Sequence, residues 1–506
     1  MSDKQLLLKN SLSGVIQLVV TAVLTLICVP FLISKLGMEV YGIFAVLSVI
    51  GNLSTLADLG MDRALIVYLS RQGRSQESDY DIIIALGIKT LLLCLVITGL
   101  LVFQKFILLS LFNIPDSWYD EAADLYRLLI FSNALMIIGM TFASVLDSLQ
   151  KVYLNSYIRF LYSLVYWLGI LFIIFTGKGL RGIGDVSVIS AIIWLVFTVS
   201  ISLRYWGRIQ LRGIGKNVQR IINKQIVYSS KIFSASILNL FFEPLSKILI
   251  SNFIGLHAVA LFDVALRIRG QIASLFSKAI YPLGPYIANQ PKSEFLNHVI
   301  IDITKKIQLI VIPVAIIFVF VSKILIYLWM GEENLQDLSV YVAVLCAGFL
   351  LFVPPTYPIY QYLYTKSLAE KTILTQLVNV LVNTVIFLIL YRVCGIYTIL
   401  FANTAAYFCA YLLSFYYLKR YLQLDVNKER WYVVKTIFSI IGLWVTGLVI
   451  TLFLQTSIWD ILIYPVCLGL IYLLYIKFAG LINKEDISRY FSGSPEVEKL
   501  LSRIFF

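Results

Sequence analysis

The sequence has few charged residues, only two histidines, and none of the local patterns that mark most enzyme and metal sites. Its 506 residues include 41 Lys and Arg, 28 Asp and Glu, and 2 His. Walker, G-x-S-x-G and H-E-x-x-H patterns are missing, and the six cysteines form no C-x-x-C pair. These absences argue against ATP hydrolysis, serine-type hydrolysis and zinc binding by this chain. We therefore predict that the protein is not an enzyme and that it needs no metal or cofactor.

Long apolar runs dominate what is present. Hydrophobic residues make up 60% of the chain and the mean hydropathy is +0.88, which excludes a soluble globular protein. A helix needs about 20 apolar residues to cross a bilayer, and the chain divides into about fourteen such runs. They are too long and too uniformly apolar for the strands of an outer-membrane barrel. We place them at 11–34, 41–66, 82–109, 125–148, 157–176, 184–206, 229–252, 257–285, 307–329, 339–363, 372–391, 396–418, 433–454 and 458–479.

The distribution of Lys and Arg predicts the orientation of the chain. The first run has full span length and no cleavage pattern, so we expect it to remain as the first membrane helix. With a cytoplasmic N-terminus, most cations fall in inside segments such as 207–228, whereas Asp116, Asp120, Glu121 and Glu332 fall outside. This bias predicts a multi-pass protein of the bacterial inner membrane with both termini in the cytoplasm. The formal charge of +13 is then a topology signal that attracts membrane lipid, and nucleic acid is not an expected partner.

Two segments indicate an internal repeat. Ile250–Phe262 matches Ile33–Phe44 with one residue of slip, so that Gly255 corresponds to Gly37. We predict an all-α fold with two six-helix bundles in parallel repeat, followed by two further helices. The predicted divisions are an N-terminal lobe at 1–206, a basic cytoplasmic linker at 207–228, a C-terminal lobe at 229–418, helices 13 and 14 at 419–480, and a cytoplasmic tail at 481–506.

Charged residues deep within the spans are the candidate functional residues, because a charge in a membrane span usually marks a polar cavity. Four are cations, so the interior is predicted to be net positive. The spacing pairs Lys247 with Glu243 and Asp263 with Arg267 on one helix face each. Lys89 and Arg269 then have no local partner and would suit a phosphate-bearing substrate. The alternative is structural: partners on neighbouring helices for the arginines, or a Lys89 side chain that reaches the headgroups. The predicted substrate-binding cations are Arg267, Arg269, Lys89 and Lys247.

A second group of charged residues lies near the cytoplasmic end of the second span. Asp58 and Asp62 share a helix face, and Arg63 points about 100° away. They are candidates for a cytoplasmic gate, and the alternative is that Asp58-Leu59-Gly60 shapes a close helix crossing. Buried acids can also bind a coupling ion. The gate or ion-coupling candidates are therefore Asp58, Asp62, Arg63, Glu243 and Asp263.

Prolines within the spans predict broken helices. Pro244 follows the acid Glu243, Pro282 and Pro285 flank Gly284, and Pro313 and Pro354-Pro355 interrupt two further spans. Proline frees backbone carbonyls that can line a cavity or allow a helix to flex.

The first two spans also carry a specific pattern, which is Pro30, Leu32, Leu36-Gly37, Tyr41-Gly42, Asp58-Leu59-Gly60, Ala64 and Arg71. This pattern resembles the polysaccharide-export branch of the multidrug/oligosaccharidyl-lipid/polysaccharide exporter superfamily, the Wzx-type O-antigen flippases. The segment Val259–Pro285 is similar to the eighth helix of that family through Phe262, Ala265, Arg267-Ile268, Pro282 and Pro285.

The resemblance implies a flippase that moves an undecaprenyl-pyrophosphate-linked oligosaccharide to the periplasmic leaflet by alternating access. It also implies cooperation with polysaccharide polymerase machinery in O-antigen and lipopolysaccharide synthesis, and a groove for the lipid tail near the last two helices. From the residues themselves, Asn239, Glu243 and Asp263 are a candidate proton or sodium site, so H+ or Na+ is a candidate coupling ion. A cation-coupled multidrug exporter is the main alternative, but its cationic substrates favour an acidic interior. A membrane-embedded glycan polymerase or ligase needs a large outside loop, and every predicted outside loop is short. The repeat does not duplicate Asp58 and Asp62, so we expect the substrate's charge to be met in the seventh and eighth helices.

Overall fold

The computed structural model describes residues 3–54, 58–210, 218–280, 283, 287, 291–332, 335–366, 368–423, 435–436, 438, 440–443, 445–449 and 460–479. Every regular element in these residues is helical, which confirms the predicted all-α class. Within the described part of the chain, eight helical segments are long and apolar enough to cross a membrane. The chain is therefore a multi-pass membrane protein. The count of about fourteen spans stays a prediction, because parts of the eighth and thirteenth spans and the whole tail lie outside the described residues.

The chain divides into two compact units, Met1–Asp263 and Val264–Phe506. The first unit contains helices α1 (Asp3–Leu36), α2 (Met38–Leu47), α3 (Val49–Ser54), α4 (Met61–Gln72), α5 (Gln76–Val102), α6 (Tyr119–Ser148), α7 (Val152–Thr176), α8 (Gly179–Trp206) and α9 (Val218–Phe253). Helix α10 (Leu256–Ile280) begins in the first unit and ends in the second. The second unit continues with α11 (Glu294–Met330), α12 (Leu335–Phe352), α13 (Tyr357–Thr365), α14 (Ala369–Cys394), α15 (Thr398–Leu422) and α16 (Asp460–Ala479).

Apolar side chains remain exposed along one side of many helices, as expected where a protein faces lipid. On α5, Leu91 and Leu95 are each 64% exposed. On α16, Val466, Leu470 and Phe478 share one face at helical spacing, and Phe478 is 86% exposed. In a bilayer these side chains contact acyl chains, which are as apolar as leucine, so their exposure stabilises insertion rather than promoting aggregation.

The predicted helix breaks occur at one proline pair and not at single prolines. Pro354-Pro355 opens a 3-10 turn between α12 and α13, since a proline cannot donate the hydrogen bond that would continue the helix. Pro244 and Pro313 lie inside the continuous helices α9 and α11. The predicted kink at Pro282 and Pro285 lies outside the described residues.

The two turns that indicated the repeat have the same local structure. Gly37 has φ +81° and Gly255 has φ +128°, values that glycine adopts without the clash of a Cβ atom. Each glycine N–H closes the preceding helix, by donating to Ile33 O at 2.8 Å and Ile250 O at 2.9 Å, respectively. Each glycine carbonyl then accepts the first bond of the next helix, from Tyr41 and Val259. The aligned glycines thus occupy equivalent helix–turn–helix positions, whereas the parallel relation of whole lobes and the lobe boundaries stay predictions.

Helix α9 begins at Val218, inside the segment that the sequence predicts as a linker. Hydrogen bonds hold it to the first unit at its far end, where Ser251 and Asn252 donate to the carbonyls of Phe112 and Leu111. At its near end, Gln225 Nε2 donates to Asp81 O at 2.8 Å. Contacts at both ends explain why α9 groups with the first unit.

Candidate functional site

The Asp58-Leu59-Gly60 motif forms a capped break before α4. Leu59 and Gly60 both have positive φ, +47° and +78°, so the backbone leaves the right-handed helical conformation immediately before α4. Asp58 stabilises this break, because its carboxylate accepts the backbone N–H groups of Gly60 at 3.1 Å and Asp62 at 3.2 Å. A side-chain oxygen that satisfies the first free N–H groups of a helix is a typical N-terminal cap. The motif therefore has a structural role that is independent of any gate.

Lys89 of α5 binds both aspartates of this region. Its Nζ lies 2.9 Å from Asp58 Oδ1 and 2.7 Å from Asp62 Oδ1. The Lys89 side chain is only 1% exposed, compared with 11% for Asp62 and 20% for Asp58. We name these three residues the aspartate–lysine triad. The sequence offered no local partner for Lys89, and the structure supplies two from another helix.

Lys247 of α9 also binds a carboxylate. Its Nζ lies 2.6 Å from Asp263 Oδ1 and donates to Ala45 O at 3.1 Å. The second oxygen of Asp263 accepts the Tyr41 hydroxyl at 2.7 Å. All three side chains are buried. The spacing rule had paired Lys247 with Glu243, whereas the structure places the next helix's Asp263 against its ammonium group.

The Tyr41-Gly42 pair of the sequence pattern packs beside the Lys247–Asp263 ion pair. Tyr41 donates to Asp263, as above, and a Cβ atom at Gly42 would overlap the Leu256 carbonyl. A glycine here allows α2 to approach the start of α10 closely, in the manner of small residues at membrane helix crossings. The pattern that carries the family resemblance is thus a scaffold in which α2, α9 and α10 meet.

Arg269 has a different environment in the second unit. It is 9% exposed, and its guanidinium donates a hydrogen bond to the Tyr407 hydroxyl of α15. Its Cζ lies 5.7 Å from the centre of the Phe349 ring of α12, at cation–π distance. Phe349 and Tyr407 meet edge to face at 6.2 Å. Two aromatic residues therefore orient a buried arginine.

The remaining candidates are more accessible than these. Arg267 and Glu243 are partly buried, and Arg63 is exposed on α4. Within the part of the chain that the structure describes, Arg63 forms no ion pair. The structure therefore brings Asp58, Asp62 and Lys89 together, and Lys247 with Asp263, whereas their roles in substrate binding, gating or ion coupling stay predictions.

Sequence reasoning missed a polar cluster at the start of α5. Asp79 accepts the Trp206 indole N–H at 2.7 Å and the Gln210 backbone N–H at 2.9 Å. Asp81, which is fully buried, accepts Lys224 Nζ at 3.0 Å. The two acids thus hold both ends of the basic segment 207–228. The sequence feature that could have predicted this cluster is the run Q-E-S-D-Y-D at 76–81. Acidic residues are favourable at a helix N-terminus, and the basic segment 207–228 offers cations that can pair with them.

Two tyrosines of α15 form side-chain hydrogen bonds. Tyr407 binds Arg269, and Tyr411 accepts an amide hydrogen bond from Gln308 at 2.9 Å. Among the described residues, no group of three His, Cys, Asp or Glu side chains could hold a metal ion.

Comparison with known structures identifies the fold. The chain is similar to a structure described as lipid II flippase MurJ in an inward closed conformation, with a TM-score of 0.73 and 13% identity over 93% of this chain and 98% of that one. It is also similar to an inward-facing multidrug resistance MATE family transporter of the MOP superfamily, with a TM-score of 0.61 and 17% identity over 81% and 98% of the two chains. A variant of the Vibrio cholerae MATE transporter VcmN gives a TM-score of 0.52 and 13% identity over 82% and 98%. These likenesses show a shared transporter fold.

Sequence comparison gives the family. No protein with curated function matched the chain by sequence. A family model described as polysaccharide biosynthesis protein matches residues 7–290, which is more than half of the chain and includes the helix-break motif, the aspartate–lysine triad and the Tyr41-Gly42 scaffold. The chain therefore belongs to the polysaccharide biosynthesis protein family and has the fold of membrane flippases and transporters.

Proposed function

We propose that this protein is a flippase that moves an undecaprenyl-pyrophosphate-linked oligosaccharide, the repeat unit of an O-antigen or similar surface polysaccharide, from the cytoplasmic to the periplasmic leaflet. Transport would take place in the bacterial inner membrane. The polysaccharide polymerase machinery would then use the oligosaccharide delivered to the periplasmic leaflet. Membership of the polysaccharide biosynthesis family supports this substrate class. The similarity to the MurJ structure supports the fold that such transport needs.

The environment of Arg269 is the observation that carries the proposal. An arginine inside an apolar helix is expensive to bury, and it usually marks a substrate pathway. Arg269 donates to the Tyr407 hydroxyl and lies over the Phe349 ring, and these contacts orient its guanidinium. A pyrophosphate would supply two negatively charged groups with the geometry that a guanidinium binds best. Arg267, two residues before it and partly buried, is the second candidate contact.

The lipid tail requires an apolar surface beside the polar path. The exposed face of α16, with Val466, Leu470 and Phe478, offers such a surface at membrane depth. A polyprenyl chain on this face would exchange with acyl chains at little net change in free energy, since both are hydrocarbons. Affinity is therefore expected to come mainly from the charged headgroup.

A reconstitution experiment tests the function. Purified protein in liposomes would receive a fluorescent polyprenyl-pyrophosphate-linked oligosaccharide, and a reagent that cannot cross the bilayer would report the fraction of glycan on the outer face. Wild-type protein should speed its transfer, and the double variant Arg267→Ala and Arg269→Ala should lose most of that increase. Arg127→Ala is the matched control, because Arg127 is 54% exposed and pairs with Asp124 on the surface of the first unit. Unchanged transfer by the double variant at equal protein level would refute the assignment.

A multidrug exporter of the same superfamily is the alternative. The two carboxylates of the aspartate–lysine triad favour it, because cationic drugs bind acidic interiors. The structure weakens this argument, since Lys89 already occupies the position between them. Liposomes loaded with a cationic dye distinguish the two functions: a flippase should leave the dye gradient unchanged.

A further inference from the structure

The hairpin of α14 and α15 is the membrane segment with the largest exposed share. Only 22% of its most apolar stretch is buried, the smallest share among the eight long apolar segments in the described part of the chain. The two helices run side by side in opposite directions, and Tyr417 Oη near the end of α15 donates to Lys371 O at the start of α14 at 3.1 Å. The start of α14 and the end of α15 therefore meet at one end of the hairpin, which the distribution of cations predicts to be cytoplasmic.

Helix α15 presents an exposed stripe whose chemistry changes in order towards this end. Its members are four residues apart and so share one helix face; they are Phe408, Leu412, Tyr416 and Arg420. The first three are between 44% and 51% exposed, and Arg420 is exposed as well. The stripe covers roughly 18 Å of helix, close to one leaflet of a bilayer that is about 40–45 Å thick. The order of apolar side chain, tyrosine and cation matches the acyl chains, interface and phosphate of a phospholipid in one leaflet.

Helix α14 presents a second exposed stripe with the same order. Leu374, Leu377 and Leu381 are each at least 40% exposed, and their spacing of three and four residues places them on one helix face. Lys371 precedes Leu374 by three residues and so continues this face. Each helix of the hairpin thus has an apolar face that ends in a cation, and the two cations lie at the same end.

Tyrosine side chains orient the Arg420 guanidinium. Arg420 Nη1 donates to Tyr416 Oη at 2.7 Å, and Arg420 Cζ lies 5.9 Å from the ring centres of both Tyr416 and Tyr421. Lys371 interacts electrostatically with the same Tyr421, so both cations border one tyrosine. Lys371 also pairs with Glu370 at 3.0 Å, but that carboxylate is 70% exposed, and exposed ion pairs contribute little. A guanidinium has five N–H donors, and the hydrogen bond to Tyr416 uses one of them.

We propose that Lys371 and Arg420 bind the headgroup of one anionic glycerophospholipid, whose acyl chains lie along the two apolar stripes. The phosphate would accept charge-assisted hydrogen bonds from the oriented guanidinium, and basic groups beside membrane helices on the cytoplasmic side are typical headgroup sites. A zwitterionic phospholipid offers the same chains but carries its own cation, which the two side chains repel. Both stripes lie on the exterior that faces bilayer lipid, whereas the proposed flippase substrate is assigned to the buried Arg269. Phospholipid binding at this site does not require the protein to be a flippase.

Native mass spectrometry of the full-length protein in detergent tests the site, with phosphatidylglycerol and phosphatidylcholine of the same acyl chains as probes. The wild type should retain one phosphatidylglycerol at concentrations at which it retains no phosphatidylcholine. One cation near a membrane surface contributes about fivefold in affinity for an anionic lipid. Arg420→Gln should therefore weaken phosphatidylglycerol binding by about fivefold, and the double variant with Lys371→Gln by about 25-fold. Arg392→Gln is the matched control and should leave the affinity unchanged, because Arg392 at the other end of α14 is also exposed and also donates to a tyrosine, Tyr391, at 2.9 Å.

Equal retention of the two phospholipids by the wild type would overturn the proposal, and so would an equal loss of phosphatidylglycerol in Arg392→Gln and Arg420→Gln. Arg420→Lys keeps the charge and should retain part of the affinity, which separates the loss of a headgroup contact from a folding defect. A polyprenyl pyrophosphate serves as competitor: if it displaces the bound phosphatidylglycerol and its own binding is lost in Arg420→Gln, the site belongs to the transported lipid and the proposal is wrong. If the wild type transfers no glycan in liposomes, the proposed function fails while the mass spectra still decide phospholipid binding.

Discussion

The buried cations of the two units have described contacts of different chemistry, carboxylates in the first unit and aromatic side chains in the second. In the first unit, Lys89 and Lys247 each touch carboxylates at 2.6 to 2.9 Å. In the second unit, the described contacts of Arg269 are the Tyr407 hydroxyl and the Phe349 ring. The comparison shows that a cation in a membrane helix does not by itself indicate an anion site. A charge that is paired with a carboxylate, as in Lys89 and Lys247, has a role in the fold that a ligand-binding assignment must take into account.

The Lys247–Asp263 pair offers the strongest test of the structural side of this comparison. Lys247→Met would remove the ammonium group that lies 2.6 Å from the buried Asp263 carboxylate. Removal of one partner from a buried ion pair typically costs about 3–5 kcal/mol. We expect the variant to unfold at clearly lower temperature in detergent, as measured by loss of the monodisperse chromatographic peak.

The matched control removes both charges at once. The double variant Lys247→Met and Asp263→Leu removes both members of this ion pair, and such replacements are often neutral or stabilising. Its thermal stability should return toward that of the wild type. If the double variant is as unstable as the single variant, the pair matters for packing and not for charge.

Substitution of Arg269 should give the next largest effect, and the quantity measured is the affinity for the ligand. Charge-assisted hydrogen bonds contribute about 1.5–3 kcal/mol, so Arg269→Ala should weaken binding of a polyprenyl pyrophosphate by about tenfold to a hundredfold. Arg269→Lys keeps the charge but loses the paired donors, so its affinity should lie between those of the wild type and Arg269→Ala. Equal binding by all three proteins would show that Arg269 is structural, like the two lysines.

Much of this architecture could be predicted from the sequence, because membrane helices have a strong apolar signal and turns need particular residues. The break at Pro354-Pro355 and the equivalent turns at Gly37 and Gly255 occur where the pattern indicates them. The sequence pattern singles out Asp58-Leu59-Gly60. The capping function of Asp58 follows only from its contacts with the backbone N–H groups of Gly60 and Asp62. Features that depend on residues only a few positions apart, such as turns and helix breaks, could therefore be predicted from the sequence.

Partners from distant parts of the chain could not be predicted in the same way. Spacing along one helix suggested Glu243 for Lys247, whereas the structure brings Asp263 from the next helix. Lys89 meets Asp62 across 27 positions of the chain, and no periodicity within one helix encodes such a contact. The helical start at Val218 was missed because basic residues are as common in loops as in solvated helix ends.

Gly60 tests the break that positions the triad. Its φ of +78° and ψ of +13° lie in the left-handed region, where a Cβ atom costs roughly 1 kcal/mol. Gly60→Ala should therefore lower thermal stability slightly. Gly87→Ala is the control, because Gly87 lies within α5 with nothing within 4 Å of an added Cβ; it should be neutral or stabilising by about 0.5–1 kcal/mol. Equal effects at both positions would contradict the backbone explanation.

The surface of the first unit has a charge cluster that mirrors the triad, and it should give the smallest effect. Asp124 lies 3.0 Å from Arg127 and 3.7 Å from Arg181, and all three side chains are at least 40% exposed. Exposed ion pairs contribute about 0.2–1 kcal/mol, since water and salt screen them. Asp124→Asn should therefore change the melting temperature little, and added salt should reduce even that difference. A large destabilisation by Asp124→Asn would mean that burial does not distinguish the energetic contribution of this exposed cluster from that of the buried triad.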